Sequence, residues 1–73
     1  MFQIGDRVEL SEYGVKWLLP TWRKKVRTGV VREIVTRRGD IITVQRDGVQ
    51  KWDTEHADNW QAASPNKSFE RTL

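Results

Sequence analysis

Residues Thr28 to Asp53 decide the fold: Thr28-Gly-Val-Val-Arg-Glu-Ile-Val-Thr36, then Arg37-Arg-Gly-Asp40, Ile41-Ile-Thr-Val-Gln-Arg46, Asp47-Gly48 and Val49-Gln-Lys-Trp-Asp53. Three runs rich in β-branched residues alternate with two tight-turn signals, the pattern of a three-stranded antiparallel meander. Asp47-Gly48 is the stronger turn, because both central residues of a type I′ turn need positive φ, which Gly takes freely and Asp tolerates. A two-residue loop there predicts Arg46 opposite Val49, Gln45 opposite Gln50, Val44 opposite Lys51 and Thr43 opposite Trp52. Ile42 and Val44 then form the inward face, joined by Val49 across the turn.

Working outward, Phe2 to Leu10 reads as a first strand with a turn or kink at Gly5-Asp6. Ser11 is placed to cap a short helical turn that has Glu12 in its first positions. Tyr13 and Trp17, four apart, share one face of it. Gly14 weakens that turn and Pro20 ends it. Thr21 to Arg27 is a loop. In the strand after it, Val30 and Ile34 share a side with Arg32 while Val31 and Val35 share one with Glu33, which predicts a bent strand of a small closed barrel, with Gly29 supplying the bend. Past Trp52, turn-forming residues with Asp53 or Thr54 as cap predict a single 3₁₀ turn, followed by a short last strand over about 59–62. The expected organisation is one all-β domain over 1–62 and a polar, disordered tail over 63–73.

With 73 residues there is one domain, and a domain of about 60 residues buries only about 60% of its unfolded surface. There is no cysteine to add disulfides or a thiolate metal site. Four Trp, two Phe and one Tyr are the expected source of a thicker core, and self-association into a homo-oligomer is the other remedy. No apolar stretch approaches a membrane span and the N-terminus lacks a signal-peptide pattern, so a cytoplasmic protein without membrane contact is expected. The net charge is +3, unevenly spread: Lys16 to Arg38 holds eight basic residues against one acid, a net +7, and the rest holds five against nine, a net −4. Such a basic lobe points to an anionic partner, DNA or RNA, since phosphates attract clustered Lys and Arg. The plainer reading is a solvated loop.

The order of strand, helical turn, basic loop, meander, 3₁₀ turn and short strand resembles a five-stranded SH3-like barrel. Thr28-Gly-Val-Val-Arg-Glu-Ile34 with Gly39 and Ile42-Thr-Val-Gln-Arg-Asp-Gly48 is similar to KOW-type segments. Ile4 to Trp60 also resembles short uncharacterised bacterial and phage proteins that open Gly-Asp-Arg-Val-x-Leu-Ser and close on a His or Trp beside Asp and an aromatic, here His56-Ala-Asp-Asn-Trp60. Those sequences often carry Trp before Asp-Gly, and this chain has Arg46. The tail Ser64 to Leu73 resembles the ends of proteins encoded by integron gene cassettes, which implies constraints set by the recombination site on a mobile element. It brings in a further comparison, the cassette-borne type II dihydrofolate reductases, tetrameric SH3-like enzymes with a Val-Gln-Ile-Tyr run. The nearest string here, Val44-Gln-Arg-Asp47, lacks Ile-Tyr, which leaves an enzyme as the third reading.

Trp22, Arg23, Lys24, Lys25 and Arg27 form the leading candidate site, an aromatic plane beside clustered cations, as in proteins that stack bases and hold phosphates of single strands. Arg32, Arg37 and Arg38 are expected to extend it, since in a barrel the first long loop and the turn after the second strand can lie near one another. The alternative is that Trp22 packs over the barrel mouth and the cations solubilise it. Tyr13, Trp17, Trp52 and Trp60 read as core, with an aromatic groove for a protein partner as the other possibility. His56 is the sole histidine and reads as structural, since a metal site needs several ligands. Nothing implies a cofactor, and no nucleophile or phosphate loop is evident. The sequence therefore predicts a non-enzymatic module binding nucleic acid weakly, with a protein-interaction or self-assembling adaptor as the alternative.

Overall fold

The computed structural model describes residues 1–63. Its elements are β1 (Arg7–Leu10), α1 (Glu12–Trp17), a 3₁₀ turn (Leu19–Thr21), β2 (Thr28–Ile34), β3 (Ile41–Arg46), β4 (Trp52–His56), a second 3₁₀ turn (Ala57–Asn59) and β5 (Trp60–Ala62). The strands form one antiparallel sheet in the order β4-β3-β2-β1-β5. Apart from Ala63, the expected tail lies outside the described residues. Ala63 itself donates to the Arg7 carbonyl at 3.0 Å and so continues the β1–β5 pairing.

The first strand is shorter than its composition predicts. Gly5 takes φ +96° and Asp6 N–H donates to the Gln3 carbonyl, closing a turn. From there Val8 and Leu10 face inward while Arg7 and Glu9 face outward. Ser11 caps α1 as its side chain predicts: Oγ accepts from Gly14 N–H at 3.2 Å and donates to the Asp58 carbonyl at 2.6 Å. Gly14 has a role the sequence reading missed. A Cβ there would stand 2.2 Å from the Asn59 carbonyl oxygen, so only glycine lets α1 lie this close to the second 3₁₀ turn.

The mixed faces of β2 have a local cause. Val31 pairs with Val44 and Glu33 with Thr43, so Arg32 is one extra residue in the ladder. This bulge swaps which side chains face inward, burying Val31 before it and tucking Ile34 under after it. The bend expected at Gly29 is thus displaced to Arg32. Gly29 is required for another reason, a Gln45 carbonyl oxygen 2.5 Å from where its Cβ would be.

The β3–β4 hairpin corrects the predicted register by two residues. Gln45 faces Trp52, Val44 faces Asp53 and Thr43 faces Thr54. Gly48 has φ +75° but Asp47 does not take positive φ, so the two-residue type I′ geometry is absent. Asp47 N–H donates to the Thr28 carbonyl, keeping Asp47 on the β2 ladder, and the loop opens over residues 47–51. Because the slip is even, every side chain keeps its face. Asp53 and Thr54 are therefore strand residues and not caps. His56 caps the second 3₁₀ turn, with Nδ1 accepting from Asp58 N–H at 3.2 Å.

The core is Val8, Leu10, Leu19, Val31, Ile42, Val44 and Trp60. It is mostly aliphatic; of the aromatics read as core from composition, Trp60 is buried in it and Phe2 and Trp22 pack against it, and three others do not join it. Tyr13, Trp17 and Trp52 are 55%, 57% and 48% exposed. Gly14 occupies the inward side of α1, and Tyr13 and Trp17 project from its outer side.

Candidate functional site

The loop between the first 3₁₀ turn and β2 carries Trp22, Arg23, Lys24, Lys25 and Arg27. It has no regular structure of its own, yet two side chains fix its path. Arg46, only 8% exposed, donates from Nη1 to the Lys24 carbonyl at 2.8 Å and from Nε to Asp53 at 3.1 Å. Its guanidinium carbon lies 3.9 Å from the Trp22 ring centroid. Lys25 Nζ donates to the Leu19 carbonyl at 2.9 Å, folding the loop back on the turn before it. A buried pair such as Arg46–Asp53 adds little over an apolar pair, but removing one partner strands the other at about 3–5 kcal/mol. Arg46 is thus a fixed post around which the loop is wound.

Trp22 has a cation stacked on its ring. It is half-buried with Arg46 over its ring and Trp60 at 6.0 Å, inclined by 30°. Trp60 Nε1, beside it, is buried without a hydrogen-bond partner among the described residues. Such an unmet donor costs about 1–3 kcal/mol. The Trp22 ring packs against the core beneath the loop, the arrangement that the alternative reading of this residue expects.

Of the cations, Arg23, Lys24 and Arg27 are exposed and their side chains have no hydrogen-bond or ion-pair partner among the described residues. Lys25 is exposed too, but its ammonium is engaged. Arg37 and Arg38 sit in the β2–β3 turn, next to Gly39 at φ +77°. Seven residues of β2, at about 3.3 Å each, separate that turn from the loop, on the order of 20 Å. The structure does not join Arg37 and Arg38 to the patch. The idea that the two ends of β2 converge fails because the strand runs extended between them.

Two further surfaces involve residues that the sequence reading placed elsewhere, Arg32 in the basic patch and Tyr13 and Trp17 in the core or an aromatic groove. Arg32, freed by the bulge, donates to Gln45 Oε1 at 2.9 Å and lies 5.9 Å from the Trp52 ring, beside a shallow cavity of about 400 Å³ lined by Val30, Gln45, Asp47 and Val49. Tyr13 and Trp17, ring centroids 6.3 Å apart, border a groove of about 360 Å³ with Leu18, His56, Asp58 and Asn59. The signal for the second was present: an i, i+4 aromatic pair around a glycine whose inward side has no side chain to bury.

Across the sheet, Asp47 accepts from both terminal nitrogens of Arg7 at 2.7 Å and from Thr28 Oγ1 at 2.5 Å. These hydrogen bonds hold its carboxyl down at about 2. Burial, reinforced by Asp53, raises the Glu55 carboxyl. Arg7 and Arg46 are thereby committed to internal acids, in contrast to the loop cations. No helix among the described residues is long and apolar enough to cross a membrane. Compared with protein-family models, curated proteins and solved structures, the chain matches none.

Proposed function

We propose that this chain is a non-catalytic binding module, an SH3-like barrel in its strand arrangement, whose loop cations hold the phosphates of a nucleic acid. The strand order β4-β3-β2-β1-β5, with α1 and the long loop both inserted between β1 and β2, supports the barrel reading. One observation carries the binding reading: Arg23, Lys24 and Arg27 are unpaired among the described residues, on a loop whose backbone is held by Arg46 and Lys25. Charges presented on a fixed backbone lose less conformational freedom on binding than charges on a mobile one. Phosphate contact from three side chains without base recognition makes a weak, sequence-tolerant, salt-sensitive binder.

The test is an amide NMR titration with short DNA at low salt, repeated on the triple variant Arg23→Glu, Lys24→Glu, Arg27→Glu. Shifts centred on residues 22–27 and an affinity reduced about tenfold or more in the variant are expected. Unaltered binding by the variant overturns the reading. Lys25 is left out because its ammonium holds the loop. A second reading, a protein-interaction or self-assembling adaptor, draws on the exposure of Tyr13, Trp17 and Trp52, since large exposed aromatics are enriched at interfaces.

A further inference from the structure

We propose that the groove between α1 and the second 3₁₀ turn binds a quaternary ammonium group, with Tyr13 and Trp17 supplying the rings and Asp58 the counter-charge. The residues that line it include one carboxylate, one imidazole and no Lys or Arg, so the inference does not rest on the phosphate-binding reading above. The Tyr13 and Trp17 centroids stand 6.3 Å apart with the rings inclined by 55°, which makes a corner of two rings and not a flat patch. Both residues are more than half exposed, so ring surface is open to a ligand. The face of an aromatic ring is negative and attracts cations, most strongly in Trp. Lys16, which does not line the groove, has its Nζ 5.3 Å from the Trp17 centroid, so this ring already draws an ammonium within the chain itself.

The opposite wall is fixed by backbone contacts. Gly14 lets α1 lie against Asn59, Ser11 Oγ donates to the Asp58 carbonyl at 2.6 Å, and His56 Nδ1 accepts from Asp58 N–H at 3.2 Å. Asn59 Nδ2 donates to the His56 carbonyl at 3.0 Å and closes the turn. These bonds leave the Asp58 side chain 78% exposed, with the His56 imidazole 3.5 Å away as its one partner among the described residues, an ion pair only when that ring is protonated. With His56 neutral, the groove thus presents an uncompensated carboxylate beside two rings. That combination selects among ligands. An anion is repelled by Asp58. A bare ammonium has three N–H donors and holds its water tightly, and one carboxylate on an open groove does not replace that water. A guanidinium has five donors, of which one carboxylate serves two. A quaternary ammonium has no N–H to satisfy, packs its methyl groups on ring faces and needs only a negative charge nearby. The volume of about 360 Å³ lies at the lower end of the range for small-ligand clefts and suits a trimethylammonium head on a short stem. A free quaternary amine and a trimethylated lysine side chain carry that same head.

The experiment is an amide and indole NMR titration of the full chain at constant ionic strength, repeated on Trp17→Leu and Asp58→Asn. The probes are choline, its uncharged isostere with carbon in place of nitrogen, and a short peptide carrying either trimethyllysine or unmodified lysine. Trp17 and Asp58 are exposed and the bonds of Asp58 that hold the turn are backbone bonds, so both variants keep the fold, which their amide spectra away from the groove check. Expected are saturable shifts centred on Tyr13, Trp17 and Asp58 with a dissociation constant of about 1 mM for choline, and binding of the uncharged isostere weaker by about fivefold or more. Trp17→Leu is expected to weaken choline binding about fivefold and Asp58→Asn about threefold. Equal affinity for choline and the isostere overturns the charge assignment, and equal affinity for the two peptides overturns the quaternary one. Binding that both variants leave unaltered, or no saturable shift with choline or the trimethyllysine peptide, overturns the site itself. Where the proposal holds, a trimethyllysine peptide that binds about tenfold more tightly than choline identifies a modified side chain of a partner as the source, and equal affinities identify a free small molecule.

Discussion

Arg46, the last residue of β3, and Asp47, the first of the loop after it, have opposite fates. Arg46 turns inward under the loop, and Asp47 turns outward to Arg7 and Thr28. That Arg46 would lie over Trp22 was not legible, because it depends on the long chain excursion between β1 and β2, which no local pattern encodes. Asp47 makes a pH prediction. Its carboxyl titrates near 2 in the folded chain against an ordinary 3.8, so the folded state favours the ionised form. The stabilisation is complete above about 3.8 and is lost as pH falls through about 2. Arg7 and Asp47 side chains are 54% and 42% exposed, which keeps the effect within about 1 kcal/mol. Urea unfolding at pH 5 and at pH 2.5 is expected to show the wild type losing about that much more stability than Asp47→Asn. An equal loss in both would detach Asp47 from the acid limb.

At the level of elements, strand content and faces were legible and lengths were not. Ile42 and Val44 face inward as their alternation demands, and a register slip of two residues at the hairpin left them there. The slip itself was hidden because Asp47 is drawn to β1 and β2, which are remote in sequence. The extent of β4 was hidden likewise: Asp53 and Thr54 look like caps until Arg46 and Thr43 engage them across the ladder. Gly14 shows the same conflict between local preference and packing. By helix propensity, alanine there would gain up to about 1 kcal/mol. By packing, its Cβ would meet the Asn59 carbonyl oxygen at 2.2 Å and Leu10 Cδ2 at 2.7 Å, a backbone contact that cannot swing away. Overpacking of this kind costs about 1–3 kcal/mol or more, so the clash prevails. Gly14→Ala is expected to lower the urea midpoint without changing the slope. A raised midpoint would mean that α1 does not rest on the second 3₁₀ turn in solution.

For the molecule as a whole, the segregation of charge was legible in the sequence, but which charges act together was not. The +7 segment contains two separate groups of cations, and the length of β2 divides them. The candidate patch therefore loses Arg37 and Arg38, and Lys25 is diverted to the Leu19 carbonyl. What remains unpaired on the loop is Arg23, Lys24 and Arg27. Binding to a single strand releases counterions in proportion to the phosphates contacted, with a slope of log affinity against log salt of about −0.7 per contact. Three contacts predict a slope of about −2, and five would predict about −3.5. The discriminating variant is Arg37→Ala with Arg38→Ala. With the two groups on the order of 20 Å apart, more than a Debye length in ordinary buffer, it is expected to leave the slope at about −2. A slope that falls toward zero by about 1.4 in that variant would mean that one strand bridges both ends of β2 and that the patch is continuous in the complex.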